Sequence, residues 1–595
     1  MDMFDMKPGM AVPLSNGIKP GDTIVLEPGI HENPLYFAGL RGTQERPIII
    51  QAGKGMTPAR LTGPICQNVA KDIANREAAR RQEGGYYPAP GFLGDLAALT
   101  LRDCQYVVVQ GLYFDQCWLS AIYIDDCRFI AVRDCRIEGS MNAFGINGPD
   151  TRHILIEHNH WRQDMSDDHD IWNNVPWSAI HGSLANSKRE VDPKRDVRHF
   201  DGDFVRCWDI AGDLLVRDND VEDAFNGVHT FNDVDELAPG VEAPATQFNR
   251  RRRSTANVLI EDNRFTRIRD NVIEPEDHAW NWVVRRNTFV DCLVPLSLEL
   301  HRAGWLYIYA NQFASFHKPS QTVPKDWKDE SNRDGFAIFK TGGLQRNEGD
   351  IYFMFNSITL PTNARYFRRG FLGRLQHRNN AISFEGGKGR FFGKNGLEQG
   401  AGLVLYHKDG PFGAIFAQER RRFTRRWDGA LITDPHAPDD LKALANLHIS
   451  MEGDVIFDRN FDRQAKSGRT YEQVGYPVGN TVKFDDLGFP GQGDFPFKVK
   501  DLKLEGARTV LSGKAIAMTV ELPGLRQAAP DVRKRHEVPA GMDVGAVQVS
   551  STGLQGMEAL DGAFGFIPNF DWVERVKRQD RPASQPLSAS GAATV

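Results

Sequence analysis

One spacing in the sequence constrains the fold more than any other feature. Three strand-like stretches end in Asn-x-Phe, and their asparagines, Asn263, Asn287 and Asn311, are evenly spaced, because 287−263 and 311−287 are both 24. A fixed period in this range, with one short strand at a time, is typical of a solenoid. The strands are rich in Val, Ile, Leu and Phe, and no helical period competes. The pattern predicts an all-β fold, a right-handed parallel β-helix solenoid with long loop insertions.

The same phase continues on both sides of these strands. Upstream, Gly111, Cys135 and Asn159 end similar strands, and 135−111 and 159−135 are again both 24. Asn219 and Asn356 end further strands after longer steps, each of which fits one coil plus an inserted loop. Stacked Asn side chains satisfy the buried backbone of a turn. We therefore interpret the asparagines as a structural ladder along one internal turn.

The length of the chain also favours a solenoid. Its 595 residues exceed what one ordinary globular core supports, whereas each coil of a solenoid packs only on its neighbours. We predict a single β-helix domain over residues 1–550 and a C-terminal extension over 551–595 that is partly disordered. Insertions are expected near residues 162–200, 234–256, 314–334 and 366–430.

Composition excludes some classes of function. The formal net charge is −6, so no overall basic field attracts nucleic acid. No apolar stretch is long enough to span a bilayer, so we expect no membrane partner. The seven cysteines contain no metal-type C-x-x-C pair, and no disulfide framework is expected. The first residues lack the apolar region of a signal peptide, which leaves either a cytoplasmic protein or a removed leader. The oligomeric state stays open.

Residues 19–63 carry three phrases that resemble a known superfamily. They read Gly-Asp-Thr-Ile-Val-Leu-Glu-Pro-Gly-Ile-His, then Pro-Ile-Ile-Ile-Gln-Ala, then Leu-Thr-Gly. They resemble the opening coils of pectin-lyase-like proteins, and in particular of the chondroitinase B and alginate lyase family, with His31 where Tyr is usual. The resemblance implies a parallel β-helix and a periplasmic or secreted location. It does not choose an activity, because lyases, hydrolases, epimerases and tailspikes share this fold.

The repeat supplies a register in which side chains can be stacked. Short strands beginning at Phe204, Val228, Val272 and Leu296 align so that four polar residues fall in one column: Asp209, Asp233, Asp277 and His301. Neighbouring coils are about 4.8 Å apart, so stacked carboxylates repel one another. A bound cation, a neighbouring Arg or His, or a raised pKa must offset that repulsion. The column therefore predicts a functional site.

One reaction that fits this column is β-elimination. Acidic side chains would hold Ca²⁺ through their oxygens, and the predicted ligands are Asp233, Glu274, Glu276 and Asp277. The ion would neutralise a uronate carboxylate and acidify the neighbouring C–H bond. A base, either His278, His301 or Arg302, would remove that proton, and the linked sugar would leave. The alternatives for the base stay open.

The order of residues in this region also resembles the chondroitinase B family. The pair Glu274-x-Glu276 is followed by Arg302 in a strand that precedes the next ladder asparagine. The resemblance implies lyase chemistry with a Lys base, but this chain has no Lys there. Depending on the alignment, Asn281 or His278 stands in its place.

Two alternatives remain beside the lyase. Paired carboxylates on adjacent coils suit a glycoside hydrolase, as in polygalacturonase-like proteins. A solenoid that only binds glycan, like a tailspike, is the second alternative. We favour an enzyme that cleaves an acidic polysaccharide by β-elimination; the sugar, the linkage and endo or exo action are not specified. The catalytic candidates are Asp209, Asp233, Asp277, His278, Glu299, His301 and Arg302. The substrate-binding candidates are Arg206, His229, Trp280 and Lys340.

Overall fold

The chain winds into coils whose strands line up in three long parallel sheets. The computed structural model describes residues 3–6, 17–54, 59–62, 97–117, 119–165, 170–181, 197–208, 210–231, 255–298, 300–317, 336–341, 346–347, 349–360, 365–368, 375–384, 449–458, 481–483, 511, 513–522, 534–546, 548 and 550–583. The predicted insertions at 234–256, 314–334 and 366–430 lie largely outside these residues. The parallel β-helix predicted from the repeat is confirmed.

Sheet 1 has 15 strands. They are Met3–Met6, Thr23–Leu26, Ile48–Ala52, Gln105–Gln110, Arg128–Arg133, Arg152–Glu157, Gly212–Arg217, Thr255–Glu261, Asp277–Arg285, Leu300–Ala303, Leu306–Tyr309, Arg346–Asn347, Ile351–Met354, Leu375–Arg378 and Ile449–Glu452.

Sheet 2 has 13 strands, most of which follow a sheet 1 strand. They are Gly29–His31, Ala59–Thr62, Tyr113–Asp115, Arg136–Glu138, His160–Arg162, Asp220–Ala224, Arg264–Ile268, Thr288–Val290, Gln312–Ala314, Ser357–Leu360, Ala381–Phe384, Val455–Asp458 and Thr481–Lys483.

Sheet 3 has 10 strands and closes each coil. They are Leu35–Ala38, Leu99–Arg102, Ser120–Asp125, Asn142–Asn147, Asp203–Trp208, Asn226–Phe231, Asn271–Pro275, Val294–Leu298, Ala337–Thr341 and Arg365–Arg368. A separate antiparallel hairpin joins Met518–Leu522 to Lys534–Val538. The described helical elements are Trp177–Ile180, the 3₁₀ turn Arg198–Phe200, Ser551–Asp561 and Asp571–Glu574.

The interior is apolar and runs the length of the coils. Inward positions of all three sheets carry Ile, Val, Leu and Phe, which form one continuous buried cluster. The inward side chains of each coil pack within that coil and against the coils above and below, as in a solenoid. None of the helices in the described part of the chain has the length and apolar character of a membrane span.

The predicted asparagine ladder is confirmed along the turn between sheets 1 and 2. The Asn263 side-chain amide donates to Asn287 Oδ1 at 2.9 Å, and Asn287 donates in the same way to Asn311 at 3.0 Å. Each Oδ1 also accepts the backbone N–H of the preceding ladder residue. The ladder continues through Asn356 to Asn380. It satisfies polar groups that would otherwise be buried without partners.

Residues 551–583 form a strap that lies along the outer face of sheet 1. Phe564, Trp572 and Val576 are buried in one apolar cluster with outward residues of the sheet 1 strands. The Arg285 guanidinium lies 3.0 Å from an Asp561 carboxylate oxygen, and Tyr309 donates its hydroxyl hydrogen to Asp561. The predicted C-terminal extension is therefore helical and packed over these residues, and residues 584–595 lie outside the described part of the chain.

Replacing Asn287 by Ala should destabilise the coils by about 1–3 kcal/mol, because the backbone N–H of Asn263 and the side-chain Oδ1 of Asn311 would each lose a buried partner. Denaturant unfolding measures the free-energy change. The control is Asn174→Ala, since Asn174 is exposed and outside the ladder, and its effect should stay within about 0.5 kcal/mol. Equal effects of the two substitutions would contradict a structural ladder.

Replacing Trp572 by Ala should lower the free energy of unfolding by about 3–5 kcal/mol, because a large buried ring leaves a cavity between strap and sheet. Thermal and denaturant unfolding report the loss. Leu554→Ala, on the strap but 56% exposed, should change stability by less than about 0.5 kcal/mol. A Trp572 variant as stable as wild type would mean that the strap does not support the coils.

Candidate functional site

A row of polar residues crosses the outer face of sheet 3. The strand register pairs Arg206 with His229, His229 with Glu274, and Ser297 with Lys340. Ile273 pairs with Leu296, so Ser297 stands next to Glu274. One side chain from each of five successive coils thus shares a line, at about 4.8 Å per coil. We call these five residues the charged row.

Glu274 is the carboxylate of the row, and it is buried, at 3% exposure. Its Oε1 accepts hydrogen bonds from Asn271 Nδ2 at 2.7 Å and from Ser297 Oγ at 2.9 Å. Lys340 Nζ lies 3.5 Å from the same oxygen. Burial raises the pKa of Glu274, although the charges of His229 and Lys340 oppose the rise. Its donors fix the carboxylate in one orientation.

His229 is bracketed by three carboxylates. Its Nδ1 lies 3.1 Å from Asp203 Oδ1 and 3.5 Å from Glu274 Oε2, and its Nε2 lies 3.4 Å from Glu276 Oε2. Burial alone would lower the pKa of His229, but the charges of Glu274 and Asp203 outweigh it and raise the pKa to about 10. The ring is therefore an imidazolium at neutral pH, with both nitrogens as donors.

Glu276 is the carboxylate nearest to solvent, with 32% of its side chain exposed. Burial pushes its pKa upward, but the neighbouring imidazolium of His229 prevails and lowers the pKa of Glu276 to about 2. The pKa values of these two glutamates, which are two residues apart in the chain, are thus shifted in opposite directions. Glu274 is enclosed with a raised pKa, and Glu276 is a half-exposed anion.

Arg206 ends the row on the side of the earlier coils. Its guanidinium lies 3.1 Å from Asp203 Oδ2 and packs over the rings of Trp208 and Phe231, 5.4 and 5.0 Å from their centroids. Aromatic faces attract cations of this kind. The site therefore holds three side-chain cations, Arg206, His229 and Lys340, and three carboxyl groups, Asp203, Glu274 and Glu276.

One oxygen or nitrogen atom from each of His229, Glu274 and Glu276 lies within 4.8 Å of the others, as in a metal site. These donors do not fit Ca²⁺, which takes roughly six to eight oxygen ligands. One of the three is an imidazole that holds a proton, and Glu274 Oε1 already receives three donors. Of the other predicted ligands, Asp233 and the Asp277 side chain lie outside the described residues.

The structure brings five of the predicted site residues together. Arg206, His229, Glu274 and Lys340 belong to the charged row, and Glu276 adjoins it. Trp280 lies elsewhere, on sheet 1, 6.3 Å from Trp305 between ring centroids and beside the strap cluster. The predicted residues Asp209, Asp233 and Glu299 lie outside the described part of the chain.

Four further candidates lie on two paired strands of sheet 1: Asp277 and His278 directly after Glu276, and His301 and Arg302 on Leu300–Ala303. Backbone pairing places Asp277 opposite Leu300, and His278 opposite Arg302, with an irregularity in the register between the two pairs. His301 lies in that irregularity. The chain therefore passes from the charged row directly into the segment that carries the candidate bases. Only the backbone of these four residues is described.

The sequence register and the observed register differ by one residue on two strands. The repeat aligned Phe204 and Val272 with Val228, whereas the structure pairs Val228 with Val205 and Ile273. A slip of one residue turns each side chain to the opposite face of a sheet. The observed register buries Val205 and Ile273 in the core and places Arg206 and Glu274 outside.

Sequence reasoning missed Asp203 and Asn271, which hold the row in place. A second amide column carries the signal that reveals them. The Asp203 backbone N–H donates to Asn142 Oδ1 at 3.0 Å, and that of Asn271 donates to Asn226 Oδ1 at 3.1 Å. Aligning the sheet 3 strands on these residues, one per coil, gives the observed register.

Replacing Asp203 by Asn should lower the pKa of His229, because one of the carboxylates that stabilise the imidazolium is removed. NMR titration of histidine-labelled protein measures the shift. Asp213→Asn is the matched control, since Asp213 contacts His153 on sheet 1 at 2.8 Å and should leave His229 unchanged. An unaltered His229 titration in Asp203→Asn would contradict the proposed charge balance.

The raised pKa of His229 also links stability to pH. The folded pKa of about 10 exceeds the ordinary histidine value of 6.5, so this stabilisation is complete below about pH 6.5 and is lost as pH rises through about 10. The stability gap between wild type and His229→Gln should therefore shrink from pH 6 to pH 10 in denaturant unfolding, as follows from that range. A constant or growing gap would contradict a buried imidazolium.

Comparisons with known proteins found similarity to solved structures at low sequence identity. No protein-family model matches the sequence, and no curated protein matches it. A PL6 family polysaccharide lyase from Pseudopedobacter saltans aligns over 83% of this chain and 96% of its own, at 11% identity and a TM-score of 0.35. An alginate lyase from Paenibacillus sp. aligns over 65% and 95%, at 11% identity and a TM-score of 0.30. XylC in complex with xylose aligns over 90% and 94%, at 9% identity and a TM-score of 0.38. At these values no activity is transferred to this chain.

Proposed function

We propose that the chain is a carbohydrate-active enzyme that cleaves an acidic polysaccharide by β-elimination. The observation that carries this proposal is a line of three cations around one buried carboxylate on successive coils of one sheet face. A polymer of uronic acids presents carboxylates at regular intervals. The row presents Arg206 and His229 on adjacent coils and Lys340 three coils further on, along the same line.

In this proposal, the cations of the row bind the carboxylate of the sugar that reacts. His229 and Lys340 flank Glu274 and are bound to carboxylates within the protein, so a substrate carboxylate would share or replace these partners. Pairing with a cation withdraws charge from the carboxylate and makes the adjacent C–H bond more acidic. Asn271 and Ser297 keep Glu274 fixed while the substrate binds.

The proton then passes to a base on the following strand. Candidate bases are His278, two residues after Glu276, and His301 and Arg302 on the strand Leu300–Ala303, which pairs with the His278 strand. The base takes the proton from the carbon next to the carboxylate, and the electron pair of that C–H bond forms a new C=C bond. The bond to the linking oxygen breaks, and that oxygen takes up a proton as it leaves. No step is assigned to a metal ion.

Hydrolysis is a second candidate because the two glutamates have divergent pKa values. A carboxyl group with a raised pKa beside one with a lowered pKa is the pattern of an acid and base pair. Glu274, however, is buried and already bound by three donors, which leaves it poorly placed to reach a glycosidic oxygen. We therefore rank elimination first.

A screen on uronic-acid polysaccharides tests the proposal. Alginate, polygalacturonate and hyaluronan are incubated with the protein, and ultraviolet absorbance of the new C=C bond is followed together with reducing ends. Both signals should rise together on at least one polymer. Reducing ends without the absorbance would mean hydrolysis. Neither signal, together with retained binding of a polymer, would mean a glycan-binding protein.

Replacing Lys340 by Gln should lower kcat/KM by about 10²-fold or more, because one cation that acts on the substrate carboxylate is lost. Initial rates on the polymer identified in the screen give the loss. Lys534→Gln is the matched control, since Lys534 is exposed on the hairpin strand Lys534–Val538 and should retain wild-type rates. Full activity of the Lys340 variant would remove the charged row from the mechanism.

A further inference from the structure

The charged row is closed on the side of the earlier coils. Arg206 pairs in register with Gly145, and Gly145 pairs with Tyr123. Tyr123 is fully buried, and its ring covers Gly145, since a Cβ atom added there would lie 2.9 Å from Tyr123 Cδ2. Only a residue without a side chain fits beneath the ring. On the earlier coils, the residues in register with Arg206, namely Gly145 and Tyr123, are therefore buried inside the protein.

An apolar wall stands over these coils. Its members are buried together in one cluster, namely Tyr123, Ile171, Val175, Ala179, Ile180, Phe200 and Trp208. Trp208 lies on the same strand as Arg206, two residues further along, and is only 5% exposed. The side chains of Arg206 and Trp208 are therefore both largely covered at the point where the row ends.

The wall is attached to the coil that carries Glu274. Arg269 is fully buried, and its Nε donates to the carbonyl of Ile171 at 3.0 Å. Its NH2 group donates to the carbonyl of Val175 at 3.0 Å. Asp164 accepts the backbone N–H of Ile171 at 2.8 Å. Charge-assisted hydrogen bonds to backbone carbonyls hold the wall at a fixed place relative to the row.

On the other side, the row continues in register. Ser297 pairs with Lys340, and the backbone of Lys340 pairs with Arg368 on the next strand. Among the described side chains, the row thus places the cations His229 and Lys340 toward the later coils, whereas the earlier coils offer a buried tyrosine. An acidic polymer bound at Arg206 would find these cations on the side of the later coils.

We propose that the charged row receives the end of an acidic polysaccharide chain, with the terminal sugar against the wall at Arg206. This inference rests on the proposed function and deepens it, because it assigns an exo mode of action. A chain that extended past Arg206 along the row would have to occupy the volume of the Tyr123 ring and of Trp208.

Viscometry on the wild-type protein tests the inference. On the polymer that the screen identifies, absorbance or reducing ends count the bonds broken while relative viscosity is recorded. Cleavage at chain ends should leave viscosity near its starting value while small products accumulate from the first minutes. An early collapse of viscosity with large fragments would overturn the end-on inference and leave the proposed function intact. No cleavage of any polymer would refute the proposed function itself and with it the inference.

A variant with an opened wall provides the second test. Tyr123→Ala removes the ring above Gly145 and should produce longer oligosaccharides and a larger loss of viscosity per bond broken than wild type. Tyr106→Ala is the matched control, because Tyr106 stacks on Phe129 at 4.3 Å on sheet 1, and it should keep the wild-type product pattern. A folded Tyr123→Ala protein with unchanged products would overturn the role of the wall. If that variant does not fold, the wild-type viscosity decides the question.

Discussion

Backbone pairing from coil to coil is the constraint on which this molecule depends. Each parallel strand is held at about 4.8 Å from the next, so a residue in one coil stands above its counterpart in the following coil whatever loop lies between them. The asparagine ladder, from Asn159 to Asn380, helps to set that alignment because each amide binds both the side chain and the backbone of its neighbour. The charged row is a direct result, since residues from Arg206 to Lys340 become neighbours only through stacking.

The same stacking creates an electrostatic problem that the site solves with its own residues. Asp203, Glu274 and Glu276 would repel one another at this spacing. His229 lies between all three, and Arg206 and Lys340 complete the balance at the two ends. In the proposed function, a substrate carboxylate takes the place of one of these internal carboxylates. That exchange connects the charge pattern to the acidic substrates proposed for it.

The repeat was visible in the sequence because the ladder residues recur in one chemical form at one interval, as Asn263, Asn287 and Asn311 do. The site was only partly visible. Its strands in sheet 3 have no repeated phrase, and an alignment on apolar residues slipped by one position at Phe204 and Val272. Glu274 and His229 were identified as candidates, but their contact was not, because it depends on the exact pairing. The wall was not foreseeable, since it joins residues far apart in number.

The strap has a consequence for how the solenoid comes apart. Coils that touch only their neighbours can fray from either end, one after another. Here the strap bonds to early coils, where Lys577 and Gln579 meet Gln110 and Ala52, and to late ones, where Asp561 meets Tyr309. Opening an end coil therefore also strains contacts many coils away. The strap thus couples coils between Ala52 and Tyr309 that do not touch one another directly.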